Sequence, residues 1–127
     1  KVRYRVVREV RFPDWFHAFC WWRLPPDPRP AQEIAHGTAE TAADGTLKIT
    51  FPAKPDRTVP AADEPIFKYT VTADVTDTTG ETRSASKSVS VGYTALAATV
   101  SAGDWQTTGR PVKLAVSTRT HDGVGQA

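Results

Sequence analysis

The stretch "FKYTVTADVTDTTGETRSASKSVSVG", residues 67–92, decides the fold. In its first half Phe67, Tyr69, Val71, Ala73 and Val75 alternate with Lys68, Thr70, Thr72, Asp74 and Thr76. Successive side chains of a strand point to opposite faces, so this pattern predicts a strand with one buried and one wet face. The segment "DTTGE" supplies turn residues. Its second half alternates again: Ala85, Val89 and Val91 are expected inside, with Ser84, Ser86, Ser88 and Ser90 outside. The two halves predict a long antiparallel hairpin.

Outward from this hairpin the same period recurs. "VRYRVVREVR", residues 2–11, places Val2, Tyr4 and Val6 on one face and Arg3 and Arg5 on the other. "TAADGTLKITF", residues 41–51, reads as a second hairpin, because Asp44-Gly45 tolerates the positive φ of a tight turn. Residues 52–66 carry four prolines, and proline lacks the N–H that a ladder needs, so a surface connection is expected. "YTALAATVSA" and "GRPVKLAVSTRT" add two more strands around "GDWQTTG". Helix signals are nearly absent. Short strands separated by turn signals predict an all-β chain, an antiparallel β-sandwich of immunoglobulin or fibronectin III type. No Cys…Trp…Cys spacing of antibody domains occurs.

A chain of 127 residues can bury one core without a metal or disulfide staple. Cys20 stands alone, so no intrachain disulfide forms. There is no signal peptide, no apolar run of transmembrane length and no methionine. The expectation is a segment of a longer protein whose targeting information lies elsewhere. The net charge of +2 points to no acidic partner. Arginines concentrate in residues 1–30 (Arg3, Arg5, Arg8, Arg11, Arg23 and Arg29), and a solvated or interdomain face is the preferred reading. No zinc-finger, helix-turn-helix or RNA-recognition pattern supports a nucleic-acid partner.

Enzyme signatures fail in turn. No nucleophile elbow, phosphate loop or dinucleotide fingerprint occurs, and no catalytic residue is assigned. His17 and Cys20 are spaced as a metal pair could be, yet His36 and His121 bring no ligand-like neighbours, so no metal or other cofactor is expected. Asp74, Asp77 and Glu81 gather at the hairpin tip without the spacing of a calcium loop, and turn chemistry accounts for Asp77 and Gly80. The unusual stretch is "FPDWFHAFCWWRLPPDPRP", residues 12–30, which holds three of the four tryptophans. Trp15, Phe16, Phe19, Trp21, Trp22 and Arg23 are its candidate interdomain or binding surface. Large rings bury much area at low entropy cost, so they either cap the sandwich or meet a partner.

Taken in order, "VRYRVVREV", the aromatic-proline excursion, "HGTAETAADGTLKITFPAKPD" and "YTVTADVTDTTGETRSASKSVSVGY" (residues 69–93) resemble the macroglobulin-like domains of bacterial α2-macroglobulin-family proteins, and the fourth such domain in particular. "LAATVSAGDWQTTGRPVKLAVSTRTHDGVGQA" is similar to the opening strands of the next domain. The resemblance implies residues 1–93 as one macroglobulin-like sandwich lacking its first strand, and residues 94–127 as the start of its neighbour. It implies a non-catalytic shell module of a periplasmic or extracellular, cell-envelope-associated protease inhibitor. The partners it implies are neighbouring macroglobulin-like domains, with proteases as targets of the whole protein. The family's thioester motif is absent here, since Cys20 sits in "AFCWWR". Residues 94–118 are expected to complete the sandwich edge, in cis or as a strand-swapped dimer. A second reading stays open: a fibronectin III-like carbohydrate-binding or adhesion module with Trp15, Trp21 and Trp22 as its platform.

Overall fold

The computed structural model describes residues 1–13, 29–103 and 107–126. The chain is all-β and its sheets are antiparallel. Among the described residues six strands form: β1 (Val2–Arg11), β2 (Gln32–Ala39), β3 (Ile66–Thr76), β4 (Thr82–Gly92), β5 (Leu96–Ala102) and β6 (Leu114–Thr120). The chain divides into two compact units, Lys1–Tyr93 and Thr94–Ala127. The first holds a four-stranded sheet in the order β2-β1-β3-β4, and the second a two-stranded sheet of β5 and β6. Among the described residues no helix is long and apolar enough to cross a membrane.

Register explains the first sheet's two faces. β1 pairs with β3 without a break from Val2↔Val75 to Arg11↔Ile66, and β3 pairs with β4 from Ile66↔Gly92 to Thr76↔Thr82. Residues directly paired share a face. One face therefore collects Val2, Tyr4, Val6, Arg8 and Val10 from β1 with Phe67, Tyr69, Val71, Ala73 and Val75 from β3. Ala85, Lys87, Val89 and Val91 of β4 continue it. The opposite face is polar, tied by Thr70 to Ser88 at 3.0 Å and by Ser84 Oγ donating to Asp74 Oδ1 at 2.5 Å. On the β2 side a bulge falls between Val6 and Val7, whose partners Ala35 and Glu33 leave Ile34 as the extra residue. Tyr4 crosses Gly37, where an added Cβ would stand 2.7 Å from the phenol oxygen, so that cross-strand position has no room for a side chain.

The core forms where the apolar face is covered. Val6, Phe67 and Tyr69 make its buried cluster, with Ile34, Phe51 and Val71 among the residues packed on it. Each such side chain contributes about 1.5–3 kcal/mol by leaving water. Phe51 meets the Tyr69 ring at 5.9 Å, and Val59 and Pro65 are buried in the same connection between β2 and β3. The expected surface connection thus crosses the apolar face and forms part of its lid. The Asp44-Gly45 turn also forms: Gly45 has φ +80°, Ala42 N–H donates to the Thr46 carbonyl at 2.8 Å, and Asp44 Oδ1 accepts from Thr46 N–H at 2.9 Å. The hairpin expected around it does not. Leu47, Ile49 and Phe51 alternate half-buried against exposed Lys48 and Thr50, but no strand ladder includes them.

In the second unit β5 and β6 pair from Leu96↔Thr120 to Ala102↔Leu114. His121 Nε2 lies 2.6 Å from the Thr94 carbonyl, and Thr120 N–H donates to the Val124 carbonyl at 2.8 Å, which closes a turn after β6. Leu96, Val100, Leu114 and Val116 are exposed. A lone two-stranded hairpin is marginal in water, so these side chains contribute little to stability where they stand.

Candidate functional site

Trp15, Phe16, Phe19, Trp21, Trp22 and Arg23, the surface singled out in the sequence, lie outside the described residues, as do His17, Cys20 and Trp105. The described chain offers two other places where unusual chemistry gathers. One is a polar cluster within the apolar face. The other is the part of that face which nothing described covers.

The polar cluster begins at Arg8. Period two puts this residue on the inward face of β1 beside Val6, and it is 8% exposed. A buried guanidinium needs acceptors. Arg8 Nη1 donates to the Lys54 carbonyl at 2.9 Å, Nη2 donates to Gln32 Oε1 at 2.6 Å, and Nη2 lies 3.4 Å from Asp56 Oδ2. Tyr69 Oη donates to the same Lys54 carbonyl at 3.0 Å. Arg29 Nη1 lies 3.4 Å from Asp56 Oδ2 and also bonds Thr58 Oγ1. Asp56 Oδ1 accepts from the Thr58 hydroxyl at 2.6 Å and from Thr58 N–H at 3.0 Å. These two bonds, with the Arg8 and Arg29 charges behind them, hold the Asp56 carboxyl below the usual carboxylate range. Burial pushes the Tyr69 hydroxyl up, and the Arg8 charge partly offsets it.

This arrangement joins β1, β2, β3 and the connection at residues 54–58. The Thr58 hydroxyl, the Tyr69 hydroxyl and the Asp56 carboxylate are each engaged inside it, and its groups satisfy one another apart from Arg8 Nε, which is buried without a partner. Its chemistry is that of a clamp. The basic run in the sequence gives no sign of it, because an arginine among other arginines reads as solvated. The signal lies in the alternation, where Arg8 follows Val2, Tyr4 and Val6 at period two.

The hairpin-tip acids are engaged locally. Asp77 Oδ1 accepts from Thr79 N–H at 2.8 Å, from Thr79 Oγ1 at 2.8 Å and from Glu81 N–H at 3.0 Å, which holds its carboxyl low. Glu81 pairs with Arg83 at 2.6 Å, and Asp74 accepts from Ser84. Among the described residues no three His, Cys, Asp or Glu side chains gather as a metal site would need.

The uncovered surface is the β4 side of the apolar face. Val89 and Val91, expected inside, are 42% and 38% exposed, and Val75 is 41% exposed. Ala85, also expected inside, is exposed, whereas Ser88 and Ser90, expected outside, are half-buried. Tyr93 is exposed too, its ring edge-on to Phe67 at 5.9 Å. The reason is geometric. Phe51, Lys54, Asp56 and Val59 bring the connection over β1 and the start of β3, and the β4 column lies beyond the clamp. Val89 and Val91 are next to each other on this face, with Lys87 and Ala85 between them and the end of the sheet where Val75 lies, and exposed apolar side chains on an ordered sheet are the kind of surface that meets another layer. No family model, no curated protein and no solved structure matches the chain.

Proposed function

We propose that the chain is a non-catalytic structural module of a bacterial α2-macroglobulin-like protease inhibitor. On this reading it belongs to a macroglobulin-like sandwich of the immunoglobulin and fibronectin III type, in the shell that rearranges to trap a protease. Its partners are then the neighbouring macroglobulin-like domains of the same protein. Proteases are targets of the whole assembly, in the periplasm or outside the cell.

The observation that carries the reading is the half-covered sheet. One face is polar, threaded with Ser and Thr and half-buried along β3, while the other runs from the buried Val6, Phe67 and Tyr69 out to exposed Val89 and Val91. A module of this kind is finished by another β layer, as in a string of sandwich domains. The resemblance of residues 69–93 to the family supports the same conclusion. So does the described polar cluster, whose groups are spent on bracing β1, β2 and β3 against the connection at residues 54–58.

The gene on either side of this segment tests the reading. The expected finding is a tandem array of similar sandwich domains with a downstream thioester motif and an envelope-targeting signal upstream. Flanking catalytic domains with no further β modules would overturn it. At the protein level, Val89→Asp with Val91→Asp in the full-length protein is expected to lower protease trapping. The measurement is the residual cleavage of a large protein substrate against a small peptide substrate.

A further inference from the structure

We infer that the outer edge of β4 accepts an extended polypeptide as a fifth strand, and that this strand carries a carboxylate opposite Lys87 between two apolar side chains. The inference rests on reading the β4 side as a docking surface and is independent of the family resemblance.

Three observations converge on it. First, β4 is the terminal strand of its sheet among the described residues, and Thr82–Lys87 are exposed throughout. Secondly, this edge is straight. The β3–β4 register is unbroken over eleven pairs, and β4 contains no proline, whereas the β2 side is bent by its bulge. Of the usual protections of a free edge, β4 has no bulge, no proline and no shortness, and carries only the charges of Arg83 and Lys87. Thirdly, the face of β4 carries a cation without a counter-charge. Lys87 stands between Ala85 and Val89, and its cross-strand partner is Val71. Arg83 is already paired with Glu81, and Asp74 lies on the opposite face. Lys87 makes no ion pair with any described residue.

The charge defines the occupant. A strand added beside β4 with apolar side chains next to Val89 would partly desolvate the Lys87 ammonium, which is costly unless a carboxylate accompanies it. In an antiparallel pair the residue directly opposite stands about 4.5–5.5 Å away at Cβ, close enough for an Asp or Glu to meet it. A second copy of β4 cannot supply that group, because Thr82–Gly92 contains no acidic residue and would bring only further cations. The fitting partner is therefore an acidic strand of another protein or domain, with the same-face pattern apolar, acidic, apolar. Binding of this kind draws affinity from the backbone ladder and selectivity from alternate side chains.

Lysine on an edge also serves to repel unwanted strands, so the experiment must separate recognition from repulsion. The probes are the blocked peptides Thr-Val-Thr-Glu-Thr-Val-Thr and its central-lysine counterpart. Each is titrated into the full 127-residue chain and followed by amide chemical shifts. The expected result is that the glutamate peptide shifts amides along β4 and binds roughly five- to tenfold tighter than the lysine peptide. Lys87→Glu should reverse that preference, and Lys87→Gln should abolish it. Lys87 is exposed, so both variants should keep the wild-type spectrum elsewhere. Equal binding of the two peptides would overturn the charge rule while leaving the docking surface standing. Binding of neither peptide, or self-association of Lys87→Gln without peptide binding, would overturn both and leave Lys87 as a guard residue.

Discussion

Arg8 occupies a position in the row Val2, Tyr4, Val6, Arg8, Val10 that an aliphatic residue would fill by default. Its guanidinium is held by Lys54, Gln32 and Asp56, three groups from two separate stretches of chain. Asp56→Ala removes the charge that balances Arg8 and Arg29, and leaves a buried donor less well satisfied. The expected loss is about 1–3 kcal/mol, read from the midpoint of urea unfolding. The same carboxylate sets a pH response. Asp56, Asp44 and Asp77 all titrate below their ordinary value of 3.8, chiefly through bonds from Thr58, Thr46 and Thr79. Groups with lowered folded values contribute fully above that ordinary value and lose their contribution as the pH falls through the lowered one. Stability should therefore be flat with respect to these groups from neutral pH to about pH 5 and decline progressively below it. Thermal unfolding across the acid range checks this, and Asp56→Asn should make the decline shallower. Little of the clamp is legible in the sequence. An arginine within a basic run looks solvated until a distant segment lays a carbonyl and a carboxylate against it, as Lys54 and Asp56 do here.

The β3–β4 hairpin stands at the other extreme. Both strands and the turn are specified by neighbouring residues: period two on each side, Asp77 bonding Thr79 and Glu81, and Gly80 at φ +90°. Such local information is readable from the order of the amino acids alone. Replacing Gly80 with Ala keeps the turn but imposes a left-handed conformation on a residue with a Cβ, at an expected cost of about 1–2 kcal/mol. The comparison of wild type and variant by thermal melting tests it. Leu47, Ile49 and Phe51 carry the same alternation, yet they pair with no strand. Their period predicts which side chains turn inward and is silent on whether a partner lies alongside. Alternation reports burial of one face, and a ladder needs a second strand in register as well. The Asp44-Gly45 turn forms for the same local reason that Asp77–Glu81 does.

At the scale of the whole molecule, the all-β antiparallel character follows from frequent period-two runs and absent helix signals. The expected inward burial of Val89 and Val91 does not follow, because it depends on how far a covering layer extends. The clamp brings that layer over β1 and the beginning of β3, and no residue pattern within β4 announces its end. An exposed apolar strip beside a free edge promotes association. Val89→Thr with Val91→Thr should keep the strand, since threonine favours extended backbone. It should also reduce both dye binding by the native protein and concentration-dependent self-association, as measured by light scattering. Unchanged scattering would place the sticky surface elsewhere.

β1 lies in the interior of its sheet, and its position governs the order of events during synthesis. It leaves the ribosome before β2, and its other flank is β3, with partners from Ile66 to Val75. Pairing across so long a separation is slow and must wait until those residues have been made. β3 and β4, in contrast, close on each other within one turn. The nascent chain should therefore pass through an interval in which Val2 and Val6 stand in water, and a later hairpin completes the earlier strand. Translation arrested after β2 should leave a protease-sensitive chain, and arrest once β4 has cleared the exit tunnel should yield a resistant one.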